Sequence, residues 1–184
     1  VIGTNSMQAD LWMPSGERRS LSICTVVGKS IRRLTPTRIS VSGMSPMHDR
    51  QMRMFGAAGQ AVLQHSKVAI IGLGGIGSIV AEYLARLGVG HLVLVDNDHM
   101  EASNLSRVVG ATTDDANAAR TKVEVARRHV VEAAPNITLE IIGEDMTKAS
   151  VASRLRTCDY IFLAADSMRA RLLFNALVQQ YLIP

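Results

Sequence analysis

Thiols are nearly missing from this chain: 184 residues contain only Cys24 and Cys158. Two cysteines cannot build a disulfide framework or a four-thiolate zinc site. Cys158 opens the apolar run TCDYIFLAA and is expected to be a small buried residue. Long hydrophobic runs are missing too. None reaches the roughly 18 residues of a membrane span, and no basic-then-apolar signal peptide stands at the start. The expectation is no membrane partner and a cytoplasmic setting. Nor does one sign of charge dominate most of the chain. Residues 47–184 hold 14 Lys/Arg and 14 Asp/Glu, a net of zero. Residues 1–46 hold six Lys/Arg against Asp10 and Glu17, a net of +4. Those six cations are scattered without aromatic partners, so a solvated surface is expected there and nucleic acid is not the expected partner. The chain opens on Val1 and closes on LIP, which suggests a fragment of a longer protein. What is present is a soluble globular composition, 47% hydrophobic and 20% charged, enough for one sizeable domain.

Residues 1–46 read as an irregular lead-in, or the tail of a preceding domain. LSICTVV and RISVS are candidate short strands there. From Ser66 the pattern becomes regular. SKVAIIG is a buried strand. IGSIVAEYLARLG is a helix with Ile76, Val80, Leu84 and Leu87 at helical spacing, stopped by Gly88. HLVLVD is a second strand. A long helix is expected over 115–134, with Val123, Ala126, Val130 and Ala134 on one face. ITLEII is a third strand, and a helix over 147–156 leads to the fourth, DYIFLAA. MRARLLFNALVQQYL is the last helix, with Leu173, Leu177 and Tyr181 aligned. This alternation predicts an α/β fold, Rossmann-like and doubly wound, with a mostly parallel sheet and helices on both faces. Ligands of such sheets bind at the carboxyl ends of the strands.

GLGGIGS places Gly72, Gly74 and Gly77 in the G-x-G-x-x-G pattern, after a strand and before a helix. Gly72 permits the tight turn, Gly74 the approach of a phosphate, and Gly77 close packing of helix on strand. The helix amino terminus offers free N–H groups to an anion. Asp96, 19 residues beyond Gly77 and ending the second strand, suits ribose hydroxyls. That describes a nucleotide site and leaves NAD as one candidate. A dinucleotide, however, has little use for clustered cations, whereas a nucleoside triphosphate needs Lys and Arg at its phosphates and a carboxylate for Mg²⁺. Arg107, Lys122 and Asp166 follow strand ends and meet that need.

GLGGIGS, VDNDHMEASNLSR, Lys122 in ARTKVEVA, and AADSMRARLLFNAL together resemble the adenylation domain of the ThiF/MoeB/HesA family, which includes the ubiquitin-activating enzymes. HDRQMRMFGAAGQAVLQHSKV is similar to the family's lead-in to the first strand. The resemblance implies an ATP-binding adenylation domain over 47–184, truncated at its carboxyl end. Gly74 and Gly75 would lie under the phosphates and Asp96 would hold the ribose, with Asp98 beside it. Asn104, Arg107 and Lys122 would line the triphosphate, and Asp166 would help bind Mg²⁺. Arg50 matches an arginine that reaches the partner's ATP in homodimeric members. The implied reaction is attack of a carboxylate on the α-phosphorus, giving an acyl-adenylate and pyrophosphate. The substrate would be the terminal glycine of a ubiquitin-like or sulfur-carrier protein, and the protein a homodimer.

Singly, each residue has a plainer reading. Arg107, Lys122 and Arg50 could be solvated cations, Asp166 a helix cap, and Asp98 a turn cap. The chain also departs from the family pattern. Val108 stands where Gln is usual, Ala165-Asp166-Ser167 where Thr-Asp-Asn is common, and ANAARTK lacks the glycine often found before the lysine. Two other functions stay open: an NAD-dependent oxidoreductase, and a non-catalytic partner subunit of an activating complex. A carboxylate on modified tRNA gains no support from the neutral charge of 47–184.

Overall fold

The computed structural model describes residues 7, 9–21, 24–27, 31–34 and 45–184. The chain divides into two compact units, residues 1–40 and 41–184. In the first, β1 (Asp10–Trp12) pairs antiparallel with β2 (Arg18–Ser20), and β3 (Cys24–Val27) with β4 (Ile31–Leu34). Asp10 fixes the first hairpin by accepting from Arg18 Nη2 at 2.6 Å and from Ser20 Oγ at 2.7 Å. The expected strand LSICTVV survives as β3. RISVS lies outside the described residues. More strand is thus present here than an irregular lead-in implies.

In the second unit, a short 3₁₀ turn at Pro46–His48, capped by Ser45, leads into helix α1 (Asp49–His65). Sequence periodicity did not foresee α1. Gly56, at φ 77°, kinks it, and few of its side chains are buried. Its anchor is polar: Gln51 and the fully buried Gln60 both donate to the Leu87 carbonyl, at 2.7 and 2.9 Å.

Four parallel strands follow: β5 (Lys67–Ile71), β6 (His91–Val95), β7 (Thr138–Ile142) and β8 (Tyr160–Leu163), in the order β7-β6-β5-β8. Successive residues point to opposite faces of a strand, and both faces here are covered. Val68, Ile70, Leu92 and Leu94 pack under α2 (Gly75–Leu87) and α4 (Lys122–Ala133). Ala69, Ile71, Val93 and Val95 pack under α5 (Ala149–Leu155) and α6 (Met168–Tyr181). Ile70, Leu92 and Leu94 have no exposed surface, and each such burial contributes about 1.5–3 kcal/mol. Cys158 is fully buried in the second of these cores. The doubly wound α/β fold is therefore present. Among the described residues, no helix is long and apolar enough to cross a membrane.

Three local expectations are corrected. The face that α2 buries carries Gly77, Ser78, Ala81 and Ala85, while Ile76 is 71% exposed and Leu87 38%. Small side chains let this helix sit close over the glycine turn, while the expected Val80 and Leu84 do pack against the core. The helix expected over 115–134 is two helices, α3 (Thr113–Asn117) and α4. Each starts with its own capping box, Thr112 with Asp115 and Thr121 with Glu124, which satisfies otherwise free N–H groups. Between them Ala119 turns the backbone at φ 46°. On α6, Leu177 is buried and Leu173 packs against the core, but Tyr181 is 39% exposed because the helix ends there.

Candidate active site

β5 has β6 on one side and β8 on the other. The chain leaves β5 in one direction and returns on the opposite side, which opens a crevice at the carboxyl ends of the strands. A cleft of about 550 Å³ lies there. Eight of the expected site residues line it: Gly72, Gly74, Gly75, Asp96, Asp98, Arg107, Lys122 and Asp166.

The glycines divide their work. Gly72 has φ 90°, and a Cβ there would meet the Ala165 nitrogen at 2.8 Å. A Cβ on Gly77 would sit 1.8 Å from the Gly72 carbonyl oxygen. Gly77 therefore belongs to the packing of helix on turn and does not line the cleft. At Gly74 a Cβ would meet nothing within 4 Å, so its bare backbone borders open space where an anion can approach. A Cβ on Gly75 would press on Arg107 Cβ at 3.3 Å, so this glycine lets the Arg107 loop close over the helix start.

Asp96 is only 8% exposed. Its Oδ2 accepts from the Leu73 N–H at 2.6 Å and its Oδ1 from the Asp98 N–H at 2.8 Å. Burial pushes its carboxyl up, and these two N–H groups pull it back down. The acid thus braces the glycine turn and keeps spare lone pairs toward the cleft for hydroxyl donors.

Lys122 opens α4 and is 9% exposed. Its Nζ donates to Asp98 Oδ2 at 2.7 Å, and its backbone N–H donates to the Asp98 carbonyl at 3.0 Å. Arg107 Nη1 donates to the Ser103 carbonyl at 2.8 Å. Asn104 is buried and does not line the cleft. Its Oδ1 accepts from the Glu101 N–H at 3.1 Å, so it shapes the loop that carries Arg107. Asp166 lies between β8 and α6, whose amino-terminal cap is Ser167, with Oγ accepting from the Ala170 N–H. Arg50 is exposed on α1 and does not line the cleft.

Several contributors were missed. Glu144, Asp145 and Met146, just past β7, line the cleft. The rule that singled out Asp96, an acid at a strand's carboxyl end, would have found the two acids but not Met146. Asp115, 1% exposed, accepts from both Arg128 nitrogens at 2.7 Å. Arg128 also donates to the Gly110 carbonyl at 2.7 Å. This pair ties down the loop between Arg107 and Lys122.

The departures from the family pattern leave the charged lining of the cleft in place. Val108 is buried against Met100 and Val125, so no phosphate ligand is lost there. Ser167 still caps its helix. Ala119 takes the left-handed conformation a glycine would adopt freely.

Such a cleft, with a glycine turn, a buried acid at the end of β6 and a cationic border, has the form of a nucleotide site in a doubly wound domain. Residues 48–184 match the model of the ThiF family, and the chain belongs to that family. It is 37% identical over 118 residues to the sulfur carrier protein ThiS adenylyltransferase of Escherichia coli, covering 64% of this chain and 46% of that protein. To the molybdopterin-synthase adenylyltransferase of the same organism it is 34% identical over 125 residues, covering 68% and 49%. Among solved structures, Escherichia coli tRNA N6-threonylcarbamoyladenosine dehydratase in complex with ATP superposes with a TM-score of 0.69 at 27% identity, covering 75% of this chain and 56% of that one. The chain thus spans about half the length of each of these three proteins.

Proposed function

We propose that residues 47–184 form an ATP-binding adenylation domain that activates the terminal carboxylate of a ubiquitin-like or sulfur-carrier protein. The observation that carries this reading is the convergence of Arg107, Lys122 and Asp166 on the cleft that holds the glycine turn and Asp96. The two adenylyltransferases named above support it. Gly74 and Gly75 would take the phosphates, Asp96 the ribose, and Arg107 and Lys122 the charge that develops as the carboxylate attacks the α-phosphorus and pyrophosphate leaves. Asn104 would act by shaping the Arg107 loop. Catalysis would rest on positioning and charge stabilisation.

The carboxylates fit a magnesium ion that arrives with the nucleotide. Among the described residues no cluster of three or more His, Cys, Asp or Glu forms a resident metal site, whereas Mg²⁺ needs only one or two carboxylates plus phosphate oxygens. Asp166 would hold it, and it would neutralise phosphate charge.

The alternative reading, an NAD-dependent oxidoreductase, has little use for a lysine and an arginine beside the glycine turn. A modified tRNA as substrate, which the name of one structural neighbour gives for that protein, would favour a basic surface, and residues 47–184 carry 14 charges of each sign. A homodimer completes the proposal, with Arg50 reaching the partner's nucleotide. Exposed apolar residues on the helices beside it support such a contact, notably Met54 at 83% and Tyr83 at 64%. The setting would be the cytoplasm, where ATP is available.

Carrier-dependent exchange of pyrophosphate into ATP, run with a ThiS-type carrier, tests the reading. Lys122→Ala is expected to lower exchange by about 10²–10³-fold, as loss of one preorganised donor does elsewhere. Exchange that is absent in the wild type, or unchanged in Asp166→Ala, overturns it.

A further inference from the structure

We propose that Ser78 is a positioning residue whose hydroxyl sets Arg107 against the glycine turn. This rests on the ATP reading above and adds to it the group through which the turn and the cationic loop act together.

Ser78 sits in the first turn of α2, is 3% exposed and does not line the cleft. It shares the buried face of the helix with Gly77, Ala81 and Ala85. Close packing there calls for a small side chain. Alanine would meet that need and favours a helix more than serine does. What alanine lacks is the oxygen, and that oxygen is fully employed. Ser78 Oγ donates to the Gly75 carbonyl at 3.2 Å and accepts from the Val109 N–H at 3.1 Å. A hydroxyl has one proton to give and lone pairs to receive with. Here the proton goes to the helix start and a lone pair goes to the loop, so one atom joins the two.

Both ends of this join belong to the cleft. Gly75 and Arg107 line it, and Val109 stands two residues beyond Arg107. The loop lies so close to the helix start that a Cβ on Gly75 would meet Arg107 Cβ at 3.3 Å. Other bonds of Arg107 stay within its own loop: its backbone N–H donates to the Asn104 carbonyl at 3.0 Å and its Nη1 to the Ser103 carbonyl at 2.8 Å. They shape the loop without joining it to the turn. From the far side, Arg128 on α4 holds the Gly110 carbonyl at 2.7 Å. Neighbouring residues 109 and 110 are thus held from two helices. The α4 tie fixes where the loop lies, and the Ser78 tie fixes how near Arg107 stands to Gly75.

That spacing matters for charge that develops during reaction. Stabilisation of such charge depends on a donor held in place beforehand, and a small displacement lowers rate. An interaction made only in the transition state changes kcat and leaves KM in place. Ser78 acts through Arg107 and touches no nucleotide, so its loss should appear in kcat and should depend on Arg107 being present.

Carrier-dependent pyrophosphate exchange by the wild type, Ser78→Ala, Arg107→Ala and the double variant tests this, together with hydrogen exchange of the Val109 amide in the nucleotide-free protein. Ser78→Ala is expected to lower kcat by about three- to tenfold, the worth of one hydrogen bond, with the KM for ATP within about twofold. In the Arg107→Ala background the same change should have almost no effect, because residues that act through one another are not additive. The Val109 amide should exchange about three- to tenfold faster in Ser78→Ala, with the amides in the middle of α2 unchanged. Equal loss of kcat in both backgrounds, or Val109 exchange that does not change, overturns this inference alone. No pyrophosphate exchange by the wild type overturns the ATP reading, and the Val109 amide then decides by itself whether Ser78 holds the loop.

Discussion

The cleft has two walls built on different principles. The glycine turn at the end of β5 is set by what is missing: side chains at Gly72 and Gly77 would collide with backbone atoms. The loop from Asp98 to Lys122 is set by what is added: two capping boxes, the Asp115–Arg128 pair and the Asp98–Lys122 pair. The first wall depends chiefly on sterics. The second depends on charge and responds to solution conditions. Their acids differ accordingly. Burial raises the Asp96 carboxyl at the turn, while Arg128 holds the Asp115 carboxyl far below its usual range.

The largest effect is expected from Gly77→Ala. Its Cβ would lie 1.8 Å from the Gly72 carbonyl oxygen, and backbone cannot move aside cheaply. A loss of more than about 4 kcal/mol is expected, seen as failure to fold by circular dichroism. Gly74→Ala sharpens the contrast within the same turn. It meets nothing within 4 Å, so stability should change by less than about 0.5 kcal/mol while nucleotide affinity falls. If both variants lose stability equally, the division of labour between these glycines is wrong.

Next in size is Asp115→Ala in the second wall. It leaves Arg128 and Arg120 without their carboxylate, but both side chains reach solvent, at 38% and 56% exposure. The cost should fall below that of a fully buried pair, at about 2–3 kcal/mol in urea unfolding. The same pair predicts a pH dependence. Because the folded carboxyl is depressed, its stabilisation is present above the ordinary carboxylate pKa of about 3.9 and is lost as pH falls below it. Asp115→Ala should therefore flatten the acid limb of the stability curve. Asp96, raised by burial, works in the opposite direction, its contribution fading as pH rises through its folded pKa. An acid limb of unchanged steepness in Asp115→Ala would show that this pair does not govern the loop.

The smallest effect has the opposite sign. Ala119 holds φ 46°, a left-handed conformation that costs an ordinary residue about 1–2 kcal/mol. Ala119→Gly should recover up to about 1 kcal/mol, part of the relief being offset by the greater freedom of glycine in the unfolded chain. A lower melting temperature in that variant would place the loop's strain elsewhere.

The same two principles explain what could be read from the sequence. Strand–helix alternation, the glycine turn and Asp96 rest on local patterns, and these were legible. So was Lys122, which sits immediately after its capping threonine. The break at Ala119 was not, because neither glycine nor proline marks it, although Thr112-x-x-Asp115 and Thr121-x-x-Glu124 announce two helix starts. Helix α1 escaped notice because Gly56 interrupts it and its anchors are glutamines. The buried face of α2 was legible in part: Val80 and Leu84 pack on the core, but hydrophobic periodicity weights large side chains and overlooks Gly77, Ala81 and Ala85. Asp115 and Arg128 are 13 residues apart in sequence, and no short-range rule joins them. The Asn104 side chain also differs from its expected role, since it serves the loop's own backbone.

The contact between Lys122 and Asp98 has a kinetic meaning. On the proposed reading, a triphosphate would not meet a bare ammonium; it would compete with an anion already in place, 2.7 Å away. Nucleotide entry would then be a partner exchange around one nitrogen, the lysine passing from a tethered carboxylate to a diffusing phosphate.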